Sequence, residues 1–217
     1  MDHNEEGILA IQEKNYEKAA EAFTKAIENK PEDPIGYINF GNLLASMNDQ
    51  ERAERFYQKA ITLDEKAATA YYGLANLYYN EERYEEAAKL YELSIRNGIS
   101  GPDAYYMLGK SFEKLGNAKL SLPYFQRAAE ISPEDLQIQL SFAINLATLE
   151  LFSEAETVLV DILSKDPENA DAHYNLGVLY AVSTSRKEDA LYHLEQAFTI
   201  QPEHDQARTI YQMITMN

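Results

Sequence analysis

Residues 70–91 read AYYGLANLYYNEERYEEAAKLY, and the fold turns on that stretch. Tyr71, Leu74 and Tyr78 recur at intervals of three and four, which gathers large side chains on one face of a helix. After the polar break at residues 80–83, Tyr84, Ala87, Ala88 and Tyr91 repeat the pattern, so the stretch predicts two short amphipathic helices joined by a turn. Helices this short are marginal on their own, and a single pair cannot bury its apolar face. Neighbours of the same build are required.

The chain supplies them on both sides. The small residue that opens the second helix recurs at Ala19, Ala53, Ala87, Ser121, Ala155 and Ala190, a spacing of 34 four times and then 35. Seven residues further on runs a second series, Ala26, Ala60, Ser94, Ala128, Ile162 and Ala197. Five residues beyond that come Pro31, Pro133, Pro167 and Pro202, with Glu65 and Ile99 in the two remaining places. Three series with one period define a repeat array. Proline stops each second helix because its ring cannot continue the hydrogen-bond ladder. Where proline is missing after the third repeat, Asn97 and Gly98 predict a left-handed terminator instead. Pro123 falls inside a predicted second helix, costs about 3 kcal/mol there, and predicts a kink near residues 119–123.

The spacing resembles the tetratricopeptide repeat family, whose pattern is W-x2-L-G-x2-Y, then A-x3-F, then P. The second repeat matches with Tyr37, Phe40, Gly41, Leu44, Ala53, Tyr57 and Ala60, and the third with Tyr71, Leu74, Ala75, Tyr78, Ala87 and Tyr91. The fourth offers Tyr105, Leu108, Gly109, Phe112, Ser121, Phe125, Ala128 and Pro133. The fifth puts Gln139 in the aromatic slot but keeps Phe142, Ala143, Leu146, Ala155, Leu159 and Pro167. The sixth has His173, Leu176, Gly177, Tyr180, Ala190, Leu194, Ala197 and Pro202, with one extra residue in the turn at 183–186. The first repeat departs most, carrying His3, Glu6, Gly7 and Ala10 in its first helix, as suits a terminal unit with one face in water.

The resemblance spans essentially the whole chain. It implies an all-α fold, a right-handed superhelix (α-solenoid) of six helix-turn-helix repeats forming a single domain over 1–217. The repeats fall near 1–33, 34–67, 68–101, 102–135, 136–169 and 170–204. Ala207, Ile210, Tyr211 and Ile214 then predict a capping helix over 205–217.

Charge narrows the partners. With 19 Lys+Arg against 36 Asp+Glu the net charge is -17, which repels phosphate backbones and anionic membrane surfaces. Cysteine is absent, which removes disulfides, thiol nucleophiles and Cys-based metal sites. No run approaches the ~18 apolar residues of a membrane span. The opening MDHNEEGILA is acidic and lacks a long apolar core, so no secretory signal is expected and the cytoplasm is the expected compartment.

No catalytic constellation emerges, and the expectation is a non-enzyme without cofactor or metal. The string AYYMLGKS at 104–111 fits a loose phosphate-loop expression. That motif needs a flexible glycine-rich loop after a strand, whereas bulky Tyr105, Tyr106, Met107 and Leu108 place this string on a helix. His3, His173, His193 and His204 show no ligand pairing, and His173 occupies a slot where packing is expected. Glu81, Glu82, Glu85 and Glu86 fall on turns and polar faces rather than in a cleft.

What the resemblance offers is a groove lined by the first helices. The positions just after the aromatic slot and four further on are Ile38 and Asn42, Tyr72 and Asn76, Tyr106 and Lys110, Leu140 and Ile144, Tyr174 and Val178. Asn39 and Asn175 flank them. Tyrosines give rigid contact area and carboxamides bond an extended backbone, though tyrosines at these positions also serve for packing between repeats. Family members that clamp a partner's terminal carboxylates bring cations to the groove. Here Asp103 and Met107 stand in those places with only Lys110 nearby, so a segment with apolar anchors and basic residues fits better. The expected function is a scaffold that binds another protein or a peptide, with no nucleic acid and no membrane. The alternative is a self-associating assembly protein that uses the groove or the C-terminal helix, including residues 213–216.

Overall fold

The computed structural model describes residues 2–183 and 186–216. Among them are thirteen α-helices and no strand. Six pairs follow one another: α1 (His3–Gln12) with α2 (Tyr16–Asn29), α3 (Pro34–Ser46) with α4 (Gln50–Leu63), and α5 (Ala68–Asn80) with α6 (Tyr84–Arg96). Then come α7 (Pro102–Lys114) with α8 (Ala118–Ile131), α9 (Leu136–Thr148) with α10 (Phe152–Lys165), and α11 (Ala170–Ser183) with α12 (Lys187–Ile200). A last helix, α13 (Asp205–Met216), closes the series, and its Ile210, Tyr211 and Ile214 pack on Leu194 and Ala197. The expected all-α repeat architecture is present. Thr184 and Ser185, in the turn that carries the extra residue, lie outside the described residues.

Packing divides the chain into two units, one ending at Gly116 and one beginning at Asn117. In the first, each helix from α1 to α7 packs on the next, and the first helices also meet across pairs, α1 with α3 and α3 with α5. In the second, the same holds from α8 to α13, with α9 meeting α11 and α11 meeting α13. So α1, α3 and α5 lie side by side in the first unit, and α9, α11 and α13 in the second.

The small slots explain the close packing. Ala19, Ala53, Ala87, Ser121, Ala155 and Ala190 are all fully buried. A Cβ at Gly73 would fall 2.5 Å from the Tyr57 ring, and one at Gly177 would fall 2.8 Å from Leu194, so only hydrogen fits there. The two serines in small slots are satisfied. Ser94 Oγ donates to the Tyr91 carbonyl at 2.7 Å, and Ser121 Oγ accepts from Asn145 Nδ2 at 2.6 Å.

The turns inside the pairs obey a period that composition hides. Lys14, Asn48, Glu82, Gly116 and Glu150 sit 34 residues apart, and all hold φ between 59 and 71°. The N–H groups of Asn15, Asp49, Arg83 and Leu151 then reach back to the carbonyls of Ala10, Leu44, Tyr78 and Leu146 at 2.8–3.0 Å. This closure satisfies carbonyls that a helix end leaves bare. Four of the five positions lack glycine and carry a left-handed penalty of about 1 kcal/mol each. Asn15, Asp49 and Asn117 then cap the next helix, accepting from the N–H of Lys18, Arg52 and Leu120. Gly98, at φ 121°, terminates α6 as expected.

The aromatic slot proves to want a polar tip as much as a ring. Tyr37 Oη donates to the Pro31 carbonyl at 3.1 Å, His173 Nε2 to Pro167 at 3.1 Å, and Arg208 Nη2 to Pro202 at 2.8 Å. Each reaches back six residues to the loop before its own helix. Gln139 Nε2 reaches further, ten residues back to the Ala129 carbonyl in α8, at 3.1 Å. That is why glutamine and arginine can stand where the family has tryptophan.

Helix α8 runs unbroken through Pro123. The proline and Lys119 are both exposed, so the Lys119 carbonyl that loses its donor faces water. The string at 104–111 lies wholly within α7, with no loop to cradle a phosphate. Among the described residues no helix is long and apolar enough to cross a membrane.

Candidate functional site

Helices α3 and α5 of the first unit bound a pocket of about 400 Å³. Its lining includes Asn42, Asn48, Gln50, Thr69, Tyr72, Asn76 and Asn80, with Ala45, Gly73 and Leu77 between them. No charged side chain lines it, in a chain of net charge -17.

Two buried tyrosines set the carboxamides. Tyr57 Oη donates to Asn42 Oδ1 at 2.7 Å, and Tyr91 Oη donates to Asn76 Oδ1 at 2.6 Å. Both rings are nearly inaccessible. Burial pushes the Tyr57 hydroxyl up to about 12 and raises that of Tyr91 further, so both remain protonated donors. Each asparagine oxygen is thereby committed to its tyrosine, which leaves the Nδ2 hydrogens of Asn42, and the one on Asn76 that Tyr72 does not take, for other acceptors. Tyr72 stands edge-on to Tyr91 with ring centroids 5.7 Å apart. Burial raises its pKa, Asp103 adds to the rise, and a hydrogen bond with Asn76 opposes it.

The other expected groove positions in this unit are spent on the fold. Ile38 is buried with Ala60, Ala67 and Ala70. Asn39 Nδ2 donates to Asn4 Oδ1 at 3.0 Å, joining α3 to α1. Lys110 pairs with Glu113 on its own helix. Burial works against its charge, but Glu113, Tyr106 and Tyr79 together hold its pKa above the usual lysine value. Tyr106 contributes to that cluster rather than to the pocket between α3 and α5.

A second pocket, of about 520 Å³, lies in the second unit among α9, α11 and the start of α13. Leu140, Ile144, Tyr174 and Asn175 line it together with Asp171, Glu203, His204 and Asp205. The Tyr174 and His204 rings meet at a tilt of 42° with centroids 4.6 Å apart, and Asn175 Nδ2 donates to the Asp171 carbonyl at 2.8 Å. Val178 packs with Tyr174 on Leu194 and Ala197. Thr69 in the first pocket and Asp171 in the second stand three residues before Tyr72 and Tyr174, one helical turn earlier on the same face. Helical periodicity could have found both. Glu203 and His204 come from a loop, where no periodicity points to them.

The remaining polar clusters brace the fold. Tyr78 Oη donates to Glu54 at 2.6 Å while the Arg83 guanidinium lies 3.6 Å over its ring, and Arg83 holds Glu81 and Glu86. In the second unit Tyr180 Oη donates to Glu156 at 2.7 Å beneath Arg186, which pairs with Glu156 and Asp189. His173 donates through Nε2, so its bare Nδ1 accepts from His193 Nδ1 at 2.8 Å. Burial, with His173 beside it, lowers His193 to about 4. Among the described residues no group of three is placed to hold a metal ion.

Models of the tetratricopeptide repeat match residues 38–102 and 140–212, and 4–33 and 102–135. A 39-residue stretch is 69% identical to the TPR repeat-containing protein YrrB of Bacillus subtilis (strain 168), and it amounts to 18% of this chain and 19% of that protein. The crystal structure of YrrB, described as a TPR protein with an unusual peptide-binding site, superposes with a TM-score of 0.85 at 47% identity over 89% of this chain and 100% of that one. PilF of Pseudomonas aeruginosa has the same fold at 18% identity, with a TM-score of 0.76 over 99% of this chain and 95% of that one. MamA matches at 20% identity and a TM-score of 0.66 over 77% of this chain and 92% of that one.

Proposed function

The chain belongs to the tetratricopeptide repeat family, and on that premise we propose that it is a non-catalytic scaffold holding an extended segment of a partner protein. The segment lies between α3 and α5 against Asn42, Tyr72 and Asn76. The observation that carries this reading is the pair of carboxamides whose oxygens are committed to Tyr57 and Tyr91. The Nδ2 hydrogens that Tyr72 leaves open are donors for backbone carbonyls, which an extended peptide offers at regular intervals and an ordinary side chain does not. Orienting these donors in advance lowers the entropy lost on binding. The description of YrrB as having a peptide-binding site supports the same class of ligand. The cytoplasm is the compartment we propose, and the net charge of -17 argues against nucleic acid and anionic membranes as partners.

A photo-crosslinking residue at Tyr72, with a control at exposed Lys59, tests the reading in lysate of the source organism. A protein captured at position 72 and not at 59 supports it and identifies the partner. Capture of this chain itself at position 72 transfers the role to self-assembly, for which α13 offers Met213 and Met216, 59% and 83% exposed. Equal capture at both positions contradicts it.

A further inference from the structure

We propose that the pocket among α9, α11 and the start of α13 receives a basic side chain of the partner, a lysine or arginine flanked by an apolar residue. This deepens the peptide-binding reading and rests on it. Leu140, Ile144 and Tyr174 give the pocket an apolar wall, while Asp171, Glu203 and Asp205 put three carboxylates on it. A long cationic side chain matches that division, because its methylenes lie along apolar surface while its head seeks the acids. Among the described residues no lysine or arginine pairs with these three acids. Arg208, the basic residue of α13, is turned to the Pro202 carbonyl and the Phe198 ring. His204 accepts the Ala207 N–H at Nδ1 and so keeps its proton on Nε2, which stands 3.8 Å from Asp171. That distance is too long for a hydrogen bond.

Two other readings of the acids fare less well. Asp171 and Asp205 stand in the first turns of α11 and α13, where a carboxylate stabilises the helix dipole. Glu203 lies before α13, outside its first turn. Among the described residues the acids do not gather into a metal-holding group, so an organic cation on a side chain fits and a bare metal ion does not.

The test uses the full chain and an acetylated, amidated peptide, Gly-Ser-Leu-Lys-Leu-Ser-Gly, titrated by ¹H–¹⁵N NMR with the Asn175 side-chain amide as reporter. The same peptide with norleucine for lysine keeps the methylenes and removes the charge. Roughly tenfold tighter binding of the lysine peptide at low salt is expected, shrinking as salt screens the acids. Asp171→Asn with Glu203→Gln and Asp205→Asn should bring it to the norleucine level. Should that triple variant unfold, Glu203→Gln alone, outside any helix, should still weaken the lysine peptide at least twofold. Equal binding of the two peptides at the Asn175 reporter overturns the inference and leaves peptide binding intact. Binding of neither overturns it as well, and the crosslink at Tyr72 then decides the broader proposal independently.

Discussion

The two pockets occupy corresponding places on first helices and differ in chemistry. The one between α3 and α5 has Thr69, Asn42 and Asn76 and no charge, while the one beside α11 has Asp171 and Ile144 at matching or adjoining repeat positions and three acids. The repeat sets the backbone and the small slots alike in both units, because Ala53 and Ala155 are buried to the same degree. Positions that face the pockets are released from that constraint. In the proposed reading, one pocket takes the backbone of a partner and the other a side-chain charge.

The strongest way to break the first pocket is Gly73→Val. The added carbons meet the buried Tyr57 ring, and about 3 kcal/mol of stability should be lost in denaturant titration. Gly101→Val, which has open space but gives up a favoured N-cap glycine of α7, should cost about 1 kcal/mol or less. A milder change in the second unit uses pH. Unfolded histidine takes up a proton near 6.5, but folded His193 resists until about 4, so stability should fall as pH drops between those values. The loss should be about 1–2 kcal/mol for a half-exposed ring, and His193→Phe should remove that part of the slope. Tyr57→Phe removes the hydroxyl that orients Asn42 and should cost about 1 kcal/mol in thermal unfolding, with weaker partner binding. Smallest of all, Glu82→Gly and Glu150→Gly relieve left-handed backbones in the two units. Each should stabilise by about 0.5–1 kcal/mol, and equal gains would show that the turn is one device used twice.

The repeat was legible because close packing tolerates only small residues at Ala19 and its successors, and such intolerance prints itself at a fixed period. Slots defined by hydrogen bonding were harder to read. Gln139 and Arg208 look foreign to an aromatic position until their reach to a preceding carbonyl is seen. The left-handed turns at Lys14, Glu82 and Glu150 left no mark, since the closing hydrogen bonds offset a strain that glycine would have advertised. For the pockets, helical register places Asn42 with Tyr72 and Asn76, and Leu140 with Tyr174 and Asn175, and each set lines one pocket. It could not show that α1 would engage Asn39 or that Ile38 would be buried, because those depend on contacts with other helices. Nor could it supply Glu203 and His204, which a loop delivers.

The central claim is that Asn42 and Asn76 present amide donors to a partner's backbone, and Asn42→Asp with Asn76→Asp tests it most directly. Aspartate keeps the oxygen that accepts from each buried tyrosine but has no hydrogens to donate. Both proteins would be challenged with a displayed library of random dodecapeptides, and recovery measured with thermal stability in parallel. The account predicts that the wild-type chain recovers peptides of varied sequence, and that the double variant recovers at least tenfold fewer while remaining folded. Undiminished recovery by a folded double variant would contradict it.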